Sequence, residues 1–258
     1  MARNLHFAEF AARSELGLHR DGNEDSGLLA TNLLAVADGM GGYAGGEVAS
    51  RTVIATLAKI HPTLFSDLDG DSRDDIYRSS IFDMDAALRE IATAKPELDG
   101  MGTTLTSIAL FEDHVHLLHI GDSRAYRVRG GKIARLSHDH TVVQELLDQG
   151  RITADEVSDH PQRSFLTQAL MGKENLEPVL QAFPAEVGDT YLLCSDGLTA
   201  VVDEGKIAAA MKLPLADAVN SLIDLTYENG APDNVTVVAA RVVEDATAMK
   251  VTMVGAAS

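Results

Sequence analysis

The chain is short of cysteine, of basic residues and of long apolar runs, and each shortage excludes a class of protein. A single cysteine, Cys194, cannot build a disulfide framework within the chain, which is typical of a protein in a reducing cytoplasm. Only 21 Lys and Arg accompany 39 Asp and Glu, and the net charge of −18 argues against a nucleic acid partner, whose phosphates would be repelled. No apolar run approaches the roughly 20 residues of a membrane span, and the first residues lack a signal-peptide core.

Three apolar runs end in an aspartate, and they suggest where a site lies. Residues 33–42, 117–122 and 191–197 each predict a buried strand that carries an aspartate into the following loop. A fourth acid, Asp233, stands just before the apolar run 235–240, at the start of a strand. If these strands are neighbours, four carboxylates meet at one edge of a sheet.

A divalent cation is the simplest explanation for such a cluster. Carboxylates that lie close together repel one another, and each is driven toward its neutral form unless a cation shares the space. Oxygen ligands without cysteine or histidine favour Mg²⁺ or Mn²⁺ over zinc or copper. The alternative is structural, because Asp-Gly is also a common turn at the end of a strand.

Two other candidate sites have structural interpretations that we prefer. Cys194 lies beside Asp196, but a nearby acid raises the pKa of a thiol, so a small core residue is expected instead of a nucleophile. His114 and His116 alternate along a strand and could form a metal pair, yet no third ligand is spaced with them. We expect them to be solvent-facing strand residues.

The order of the segments predicts one α+β domain over residues 1–243, with two stacked antiparallel sheets and helix pairs outside them, a four-layer αββα arrangement. One helix begins near Glu47 and is ended by Pro62, and a second runs from Asp74 to about Ala94, after a solvated turn at 66–75. We expect a flap near the site at 138–172 and a disordered tail at 244–258.

The assembled motifs resemble those of the protein phosphatase 2C family, the metal-dependent serine/threonine phosphatases, and within it the bacterial and especially the actinobacterial members. The matching stretches are Arg-Asp-Gly-Asn-Glu-Asp at 20–25, Asp-Gly-Met-Gly-Gly at 38–42, Gly-Thr-Thr at 102–104, Gly-Asp-Ser-Arg at 121–124, Asp-His at 139–140, Cys-Ser-Asp-Gly at 194–197 and Asp-Asn at 233–234. Any one of these stretches is weak evidence, but their order along the chain is specific.

The resemblance implies a role for each matching residue. Asp38 would bridge two metal ions, the Gly39 carbonyl would bind one of them, and Asp196 and Asp233 would bind the other. Asp122, together with Asp196, would hold a third ion. The remaining roles are the support of ion-bound water, which falls on Glu24, Asp25 and Asn234, and the binding of the substrate phosphate, which falls on Arg20.

The implied activity is hydrolysis of phosphoserine and phosphothreonine esters by a hydroxide that bridges two Mn²⁺ or Mg²⁺ ions, without a protein nucleophile. Arg20, Glu24 and Asp38 are the expected catalytic residues. Eukaryotic members carry a histidine, proposed as the proton donor, where this chain has Met40. We therefore expect ion-bound water to protonate the leaving group.

The expected partners are phosphorylated proteins, including Ser/Thr protein kinases, with the chain acting as a cytoplasmic monomer. Many actinobacterial relatives continue into a linker and a membrane helix, so a membrane-anchored full-length form is the alternative location. Two other functions remain open. One is a phosphatase dedicated to a single regulator, such as an anti-sigma-factor antagonist, and the other is a pseudophosphatase that binds phosphoproteins without turnover. A calcium-binding module is disfavoured because its loops with ligands at alternate positions are absent.

Overall fold

The computed structural model describes residues 5–41, 45–157, 159–173, 176–244, 247 and 249–258. Gly42 of the Asp-Gly-Met-Gly-Gly motif, Ser158 of the predicted flap and residues 245, 246 and 248 of the predicted tail lie outside the described residues. The twelve strands of the described part are β1 (Leu5–Glu15), β2 (Asp25–Ala30), β3 (Leu33–Met40), β4 (Gly102–Thr103), β5 (Leu105–Phe111), β6 (His114–Ile120), β7 (Arg124–Arg129), β8 (Lys132–Arg135), β9 (Val179–Pro184), β10 (Thr190–Cys194), β11 (Val235–Glu244) and β12 (Thr252–Gly255).

The strands form two antiparallel sheets that stack face to face. One sheet has the order β1-β11-β10-β7-β8, and the other has the order β12-β2-β3-β5-β6-β9, with the short β4 paired to β3. Their facing sides enclose an apolar core that includes Phe7, Val36, Ile108, Tyr191 and Val238, all fully buried. The predicted α+β fold of two stacked antiparallel sheets is therefore confirmed.

Helices cover the outer face of each sheet. They are α1 (Gly45–Leu64), α2 (Gly70–Ala94), α3 (Val142–Asp148), α4 (Ala154–Val157), α5 (Asp196–Thr199), α6 (Glu204–Ala210) and α7 (Leu215–Glu228), with a short 3-10 helix at Pro96–Leu98. The apolar stripes of α1 and α2 pack on the sheet that contains β3, and those of α5, α6 and α7 pack on the sheet that contains β11. Helical spacing of apolar residues produces these stripes. No helix in the described part of the chain is both long and apolar enough to span a bilayer.

The structure corrects two predicted helix boundaries. Helix α1 continues to Leu64 with Pro62 inside it, because Leu64 is fully buried and its packing offsets the disturbance that the proline causes in the last turn. Helix α2 begins at Gly70, within the stretch predicted as a solvated turn. Asp69 caps this helix, because its side chain accepts a hydrogen bond of 2.9 Å from the Ser72 amide.

The prediction of a disordered tail is wrong for its last part. Strand β12 pairs with β2 from Thr252 opposite Leu29 to Gly255 opposite Ser26. The Ala256 amide then donates to the carbonyl oxygen of Asp25 at 2.8 Å. The tail lacks a helical period, which led to the prediction, but a four-residue edge strand needs no such period.

Candidate active site and metal centre

The four predicted acids meet at one end of the sandwich and come from both sheets. Asp38 lies near the end of β3, and Asp122 lies two residues after the end of β6, in one sheet. Asp196 begins α5 after β10, and Asp233 precedes β11, in the other sheet. The expectation that they share one sheet edge is therefore corrected, because the cluster forms across the gap between two stacked sheets.

These acids line a cavity of about 590 Å³. Its walls contain seven of the nine predicted site residues, namely Arg20, Glu24, Asp38, Gly39, Asp122, Asp196 and Asp233. The cavity is also lined by Met40 and by the segment 164–169 with Met171, which lies inside the predicted flap. The interpretation of 138–172 as a substrate-facing flap stays a prediction, although part of this segment does border the cavity.

Two threonines hold the backbone of Asp38 in place. Its amide donates to Thr104 Oγ1 at 3.0 Å, and its carbonyl accepts from the Thr104 amide and from Thr103 Oγ1, both at 2.9 Å. Sequence reasoning used the Gly-Thr-Thr run only as a family motif and gave these hydroxyls no role. A hydroxyl residue beside a glycine carries no local signal of a partner more than sixty positions away.

The Asp-Gly step after β3 is also held by close backbone packing. A Cβ atom on Gly39 would lie 2.2 Å from the Gly46 carbonyl oxygen and 2.5 Å from that of Glu24. The Gly39 amide donates to the same Glu24 carbonyl at 3.2 Å. Only glycine fits here, so Glu24 and the first turn of α1 can approach the strand end.

Asp25 lies behind the cavity and does not line it. It is 1% exposed and accepts a hydrogen bond of 2.7 Å from Ser195 Oγ, which itself accepts from the Thr236 amide at 2.9 Å. Asp25 pairs with Asp38 across β2 and β3, and its charge raises the pKa of Asp38. The sequence assigned no role to Ser195.

Asn234 is directed at the loop that carries Arg20 and Glu24. Its Oδ1 atom accepts from the Glu24 amide at 2.8 Å, and its Nδ2 atom donates to the carbonyls of Leu16 and Gly22 at 2.8 and 3.0 Å. The side-chain amide of Asn234 therefore forms hydrogen bonds with three backbone groups. The geometry favours a positioning role for Asn234 over the predicted support of ion-bound water.

Arg20 bonds a predicted ion ligand in this structure. Its Nη2 atom lies 2.6 Å from Asp233 Oδ2, and half of the Arg20 side chain remains exposed to the cavity and solvent. The hydrogen bond to Asp233 raises the pKa of Arg20, and the nearby Glu24 and Asp38 add to this effect. The only basic residue predicted for the site is therefore bonded to Asp233, one of the predicted ion ligands.

Burial and mutual repulsion raise the pKa values of the acids. Removal from water is the main cause for Asp38 and Asp122, whose pKa values lie well above the usual range, with neighbouring aspartates raising them further. The pKa of Asp196 is raised by the same two causes, and that of Asp25 rises to about 7. Burial likewise raises the pKa of Glu24.

The donor set fits hard divalent cations. In the described part of the chain no Lys or Arg forms an ion pair with Asp38, Asp122 or Asp196. A cation would remove the repulsion, and carboxylate oxygens are the ligands that Mg²⁺ and Mn²⁺ prefer.

The acids of the cavity contact one another and Arg20. Within the described ranges no three His, Cys, Asp or Glu side chains form a ready ion site. Asp38 is hydrogen-bonded to Asp196, and Asp233 is bonded to Arg20. An ion that takes Asp233 as a ligand would therefore compete with the Arg20 guanidinium for this carboxylate.

The two structural interpretations made from sequence have different outcomes. Cys194 is fully buried and its pKa is raised to about 12 by burial, so it is a core residue, as predicted. His114 is half exposed, but only 14% of the His116 side chain is exposed, because it packs against Phe111 and faces Asp74 at 2.8 Å. The expectation that both histidines face solvent is therefore wrong for His116.

The amino-acid sequence matches a known family and several proteins of known function. Residues 23–237 match the family model described as protein phosphatase 2C. The chain is 45% identical over 252 residues to the serine/threonine protein phosphatase PstP of Mycobacterium tuberculosis, covering 95% of this chain and 47% of PstP. It is also 32% identical over 237 residues to the serine/threonine phosphatase stp of Listeria monocytogenes, covering 89% of this chain and 93% of that protein.

Solved structures agree with these sequence matches. The crystal structure of the M. tuberculosis phosphatase PstP/Ppp superposes with a TM-score of 0.86 at 44% identity and covers 93% of this chain and all of that one. A structure of the PstP catalytic domain in complex with two manganese ions has a TM-score of 0.84 at 42% identity, covering 93% of this chain and 100% of its own. The chain thus spans about half the length of PstP itself, with 47% covered.

Proposed function

The chain belongs to the protein phosphatase 2C family, and from this we propose that it is a metal-dependent serine/threonine protein phosphatase that hydrolyses phosphoserine and phosphothreonine esters. The observation that carries the proposal is the convergence of Asp38, Asp122, Asp196, Asp233 and Arg20 on one cavity. Hydrolysis of a phosphomonoester needs positive charge beside a dianion, and this cavity combines an arginine with a donor set for cations.

The ion ligands in this proposal are the ones that the resemblance implies. Asp38 and the Gly39 carbonyl would hold one Mn²⁺ or Mg²⁺. Asp196 and Asp233, together with Asp38, would hold a second ion, and Asp122 with Asp196 would hold a third. The manganese ions in the PstP catalytic domain support the choice of metal. When bound, such ions neutralise the phosphate charge and lower the pKa of a water molecule.

Arg20 binds the substrate phosphate in this proposal. Its planar guanidinium can donate two parallel hydrogen bonds to phosphate oxygens, which fixes the orientation of the ester. The bond to Asp233 keeps the side chain at the cavity until then. Glu24, which lines the same cavity, would accept hydrogen bonds from ion-bound water, as the resemblance implies.

The position where eukaryotic family members carry a histidine holds no proton donor for the leaving alkoxide in this chain. Met40 lines the cavity, and its thioether has no proton to give. Cys194 is buried away from the cavity with a raised pKa, so it supplies neither a nucleophile nor an acid. We therefore assign the leaving-group proton to water.

The substrates we propose are phosphorylated proteins, among them Ser/Thr protein kinases and the proteins they phosphorylate. The names of the relatives support the class of substrate and do not name the individual proteins. A monomeric state and a cytoplasmic location stay predictions, which gel filtration and cell fractionation would test. A phosphatase dedicated to one regulator has no specific observation in its favour.

The decisive experiment is phosphate release from a phosphothreonine peptide by protein stripped of metal with a chelator. Turnover should be absent after stripping and return with Mn²⁺ or Mg²⁺ but not with buffer alone. Binding of the peptide without turnover, in folded protein saturated with either ion, would contradict the proposal and favour a pseudophosphatase. Broad activity on unrelated phosphopeptides would argue against a dedicated regulator.

A further inference from the structure

His140 contacts the turn that carries Asp122, although no role has been assigned to this histidine. The turn is formed by Gly121, which directly follows β6 and precedes the acid. The Gly121 amide donates to His140 Nδ1 at 3.1 Å, and the His140 amide donates to the Gly121 carbonyl at 2.8 Å. Both polar backbone groups of Gly121 are therefore bonded to the same residue.

This arrangement fixes the chemical form of the imidazole. A backbone amide can only donate, so Nδ1 must be the unprotonated nitrogen and Nε2 must carry the proton. Burial, together with the neighbouring His138, lowers the pKa of His140, which is consistent with a neutral ring. His140 could not hold the Gly121 amide as an imidazolium.

The opposite side of the turn is closed by Thr104. Gly121 has φ +108°, and a Cβ atom there would lie 2.5 Å from Thr104 Cγ2. Thr104 also accepts from the Asp38 amide, and its hydroxyl lies 2.8 Å from that of Ser123. The Asp122 turn is thus held between the threonine that positions Asp38 and the histidine.

The histidine is itself held from two sides. Its ring lies 4.9 Å from that of His119, measured between centroids, and His119 is 1% exposed. Burial lowers the pKa of His119 to about 4, so this ring is also neutral, and its Nε2 atom donates to the His138 carbonyl at 2.9 Å. The His140 carbonyl accepts from the Thr167 amide at 2.9 Å, and Thr167 lines the cavity.

We propose that His140 is a positioning residue that sets the place of Asp122 through Gly121 and ties it to the cavity wall at Thr167. The inference rests on the proposed function, because Asp122 is the ligand assigned to the third ion. His140 does not bind the ion. It determines how closely the Asp122 carboxylate can approach Asp196, and therefore how tightly the third ion is held.

The test compares His140→Leu with His140→Asn. Leucine removes the acceptor, whereas the asparagine Oδ1 atom can stand close to the position of Nδ1. His138→Leu is the matched control, because this neighbouring histidine is 59% exposed and pairs with Asp148 instead of Gly121. Three quantities are measured in the full chain: hydrogen exchange of the Gly121 amide, Mn²⁺ binding by titration calorimetry, and the ¹⁵N shift of His140 Nδ1.

In His140→Leu we expect about tenfold faster exchange at Gly121 and about tenfold weaker binding of the third Mn²⁺, with the other two ions unaffected. His140→Asn should recover most of both losses, and His138→Leu should match the wild type. The wild-type Nδ1 shift should be that of an unprotonated nitrogen, a measurement that holds even if neither His140 variant folds.

Equal Gly121 exchange in wild type and His140→Leu would overturn the inference, as would a protonated Nδ1 in the wild type. Equal losses in the leucine and asparagine variants would also overturn it, because packing and not the acceptor would then be responsible. The proposed function fails separately, through absence of metal-dependent turnover in the wild type. Gly121 exchange and the Nδ1 shift do not depend on turnover.

Discussion

Two sets of carboxylates in this chain have different surroundings: Asp139 and Asp189 are buried, whereas Asp38 and Asp122 line the cavity and are partly exposed. Asp139 accepts three hydrogen bonds from Arg124 at 2.6 to 3.1 Å, and Asp189 accepts two from Arg129 at 2.6 and 2.7 Å. At the end of the sandwich, by contrast, Asp38 and Asp122 face other acids, and their pKa values are raised well above the usual range. The chain neutralises the first set with its own guanidinium groups and leaves the second set without them.

The contrast separates structural acids from acids that need a partner from solution. A carboxylate largely removed from water without a counter-ion is costly, and such groups concentrate at functional sites. Arg124 and Asp139 lie close to Asp122, so the chain is able to place a guanidinium in this region. The absence of an ion pair at the described residues Asp38, Asp122 and Asp196 therefore favours a cation from outside the chain.

The largest expected effect comes from Asp38→Asn. Turnover of a phosphothreonine peptide should fall by about 10³-fold, roughly 4 kcal/mol of transition-state stabilisation, because the carboxylate shared by two ions is lost. The metal-free variant should unfold at the same urea concentration as the wild type or at a higher one, since a repelling charge is gone. Turnover within a factor of about 3 of the wild type would contradict the assignment of Asp38.

Asp189→Asn, in the set paired with arginine, should lower stability and leave activity unchanged. The substitution removes the charge of Asp189 and leaves Arg129 paired with the exposed Glu186. The free energy of unfolding should fall by about 2 kcal/mol, below the range for a fully buried pair because Arg129 is 30% exposed. Activity per folded molecule should be unchanged. Asp113→Asn, at a half-exposed acid, is the control for urea unfolding, and an equally small effect in both variants would remove the distinction between the two sets.

Arg20→Lys tests whether the arginine of the cavity binds phosphate or only pairs with Asp233. Lysine keeps the charge but loses the planar pair of donors, so kcat/KM should fall about tenfold, mostly through KM. Arg241→Lys is the control, because Arg241 pairs with Glu9 at 2.9 Å, far from the cavity. An unchanged KM in Arg20→Lys would mean that the arginine serves only as a partner of Asp233.

The smallest expected effect is the pH dependence of stabilisation by Mn²⁺. The pKa of Asp25 is raised to about 7 in the folded protein, so below that pH folded Asp25 holds a proton that the unfolded chain has lost. That contribution to stability disappears as the pH rises through about 7, costing the metal-free protein about 1 kcal/mol between roughly pH 6 and pH 8. A bound cation favours the ionised acid and removes the loss.

Stabilisation by Mn²⁺ should therefore be larger at the higher pH by about 1 kcal/mol or more, measured by urea unfolding with and without the ion. Buried histidines such as His119 titrate in the opposite sense, since their lowered pKa makes the folded state less stable as the pH falls. They contribute with and without Mn²⁺, so the difference isolates the acids. Stabilisation that is independent of pH would contradict the raised pKa values.

The sequence identified the four acids of the cavity because each lies near an end of a strand or just outside one. Apolar runs identify buried strands, and Asp38, Asp122, Asp196 and Asp233 stand at their ends, so the side chains could be placed before the fold was known. The strand partners could not be predicted in the same way. Only the tertiary pairing shows that two of the acids come from each sheet.

The parts that sequence reasoning missed depend on contacts between distant residues. Thr104, Ser195 and His140 support the site through backbone groups or side chains that lie 19 to 170 positions away. A hydroxyl or imidazole residue alone gives no indication of such a partner. The directions in which Asn234 and His116 point were missed for the same reason, because each is set by the element packed against it.

The strand Thr252–Gly255 protects the fold against association between copies. Strand β2 is buried along its whole length, and without β12 its backbone amides and carbonyls on that side would be unpaired. An exposed, apolar strand edge is a template for pairing with another chain and thus for aggregation. Cutting the protein at residue 243, the predicted end of the domain, would therefore yield material prone to aggregate, with the opened edge running directly to Asp25.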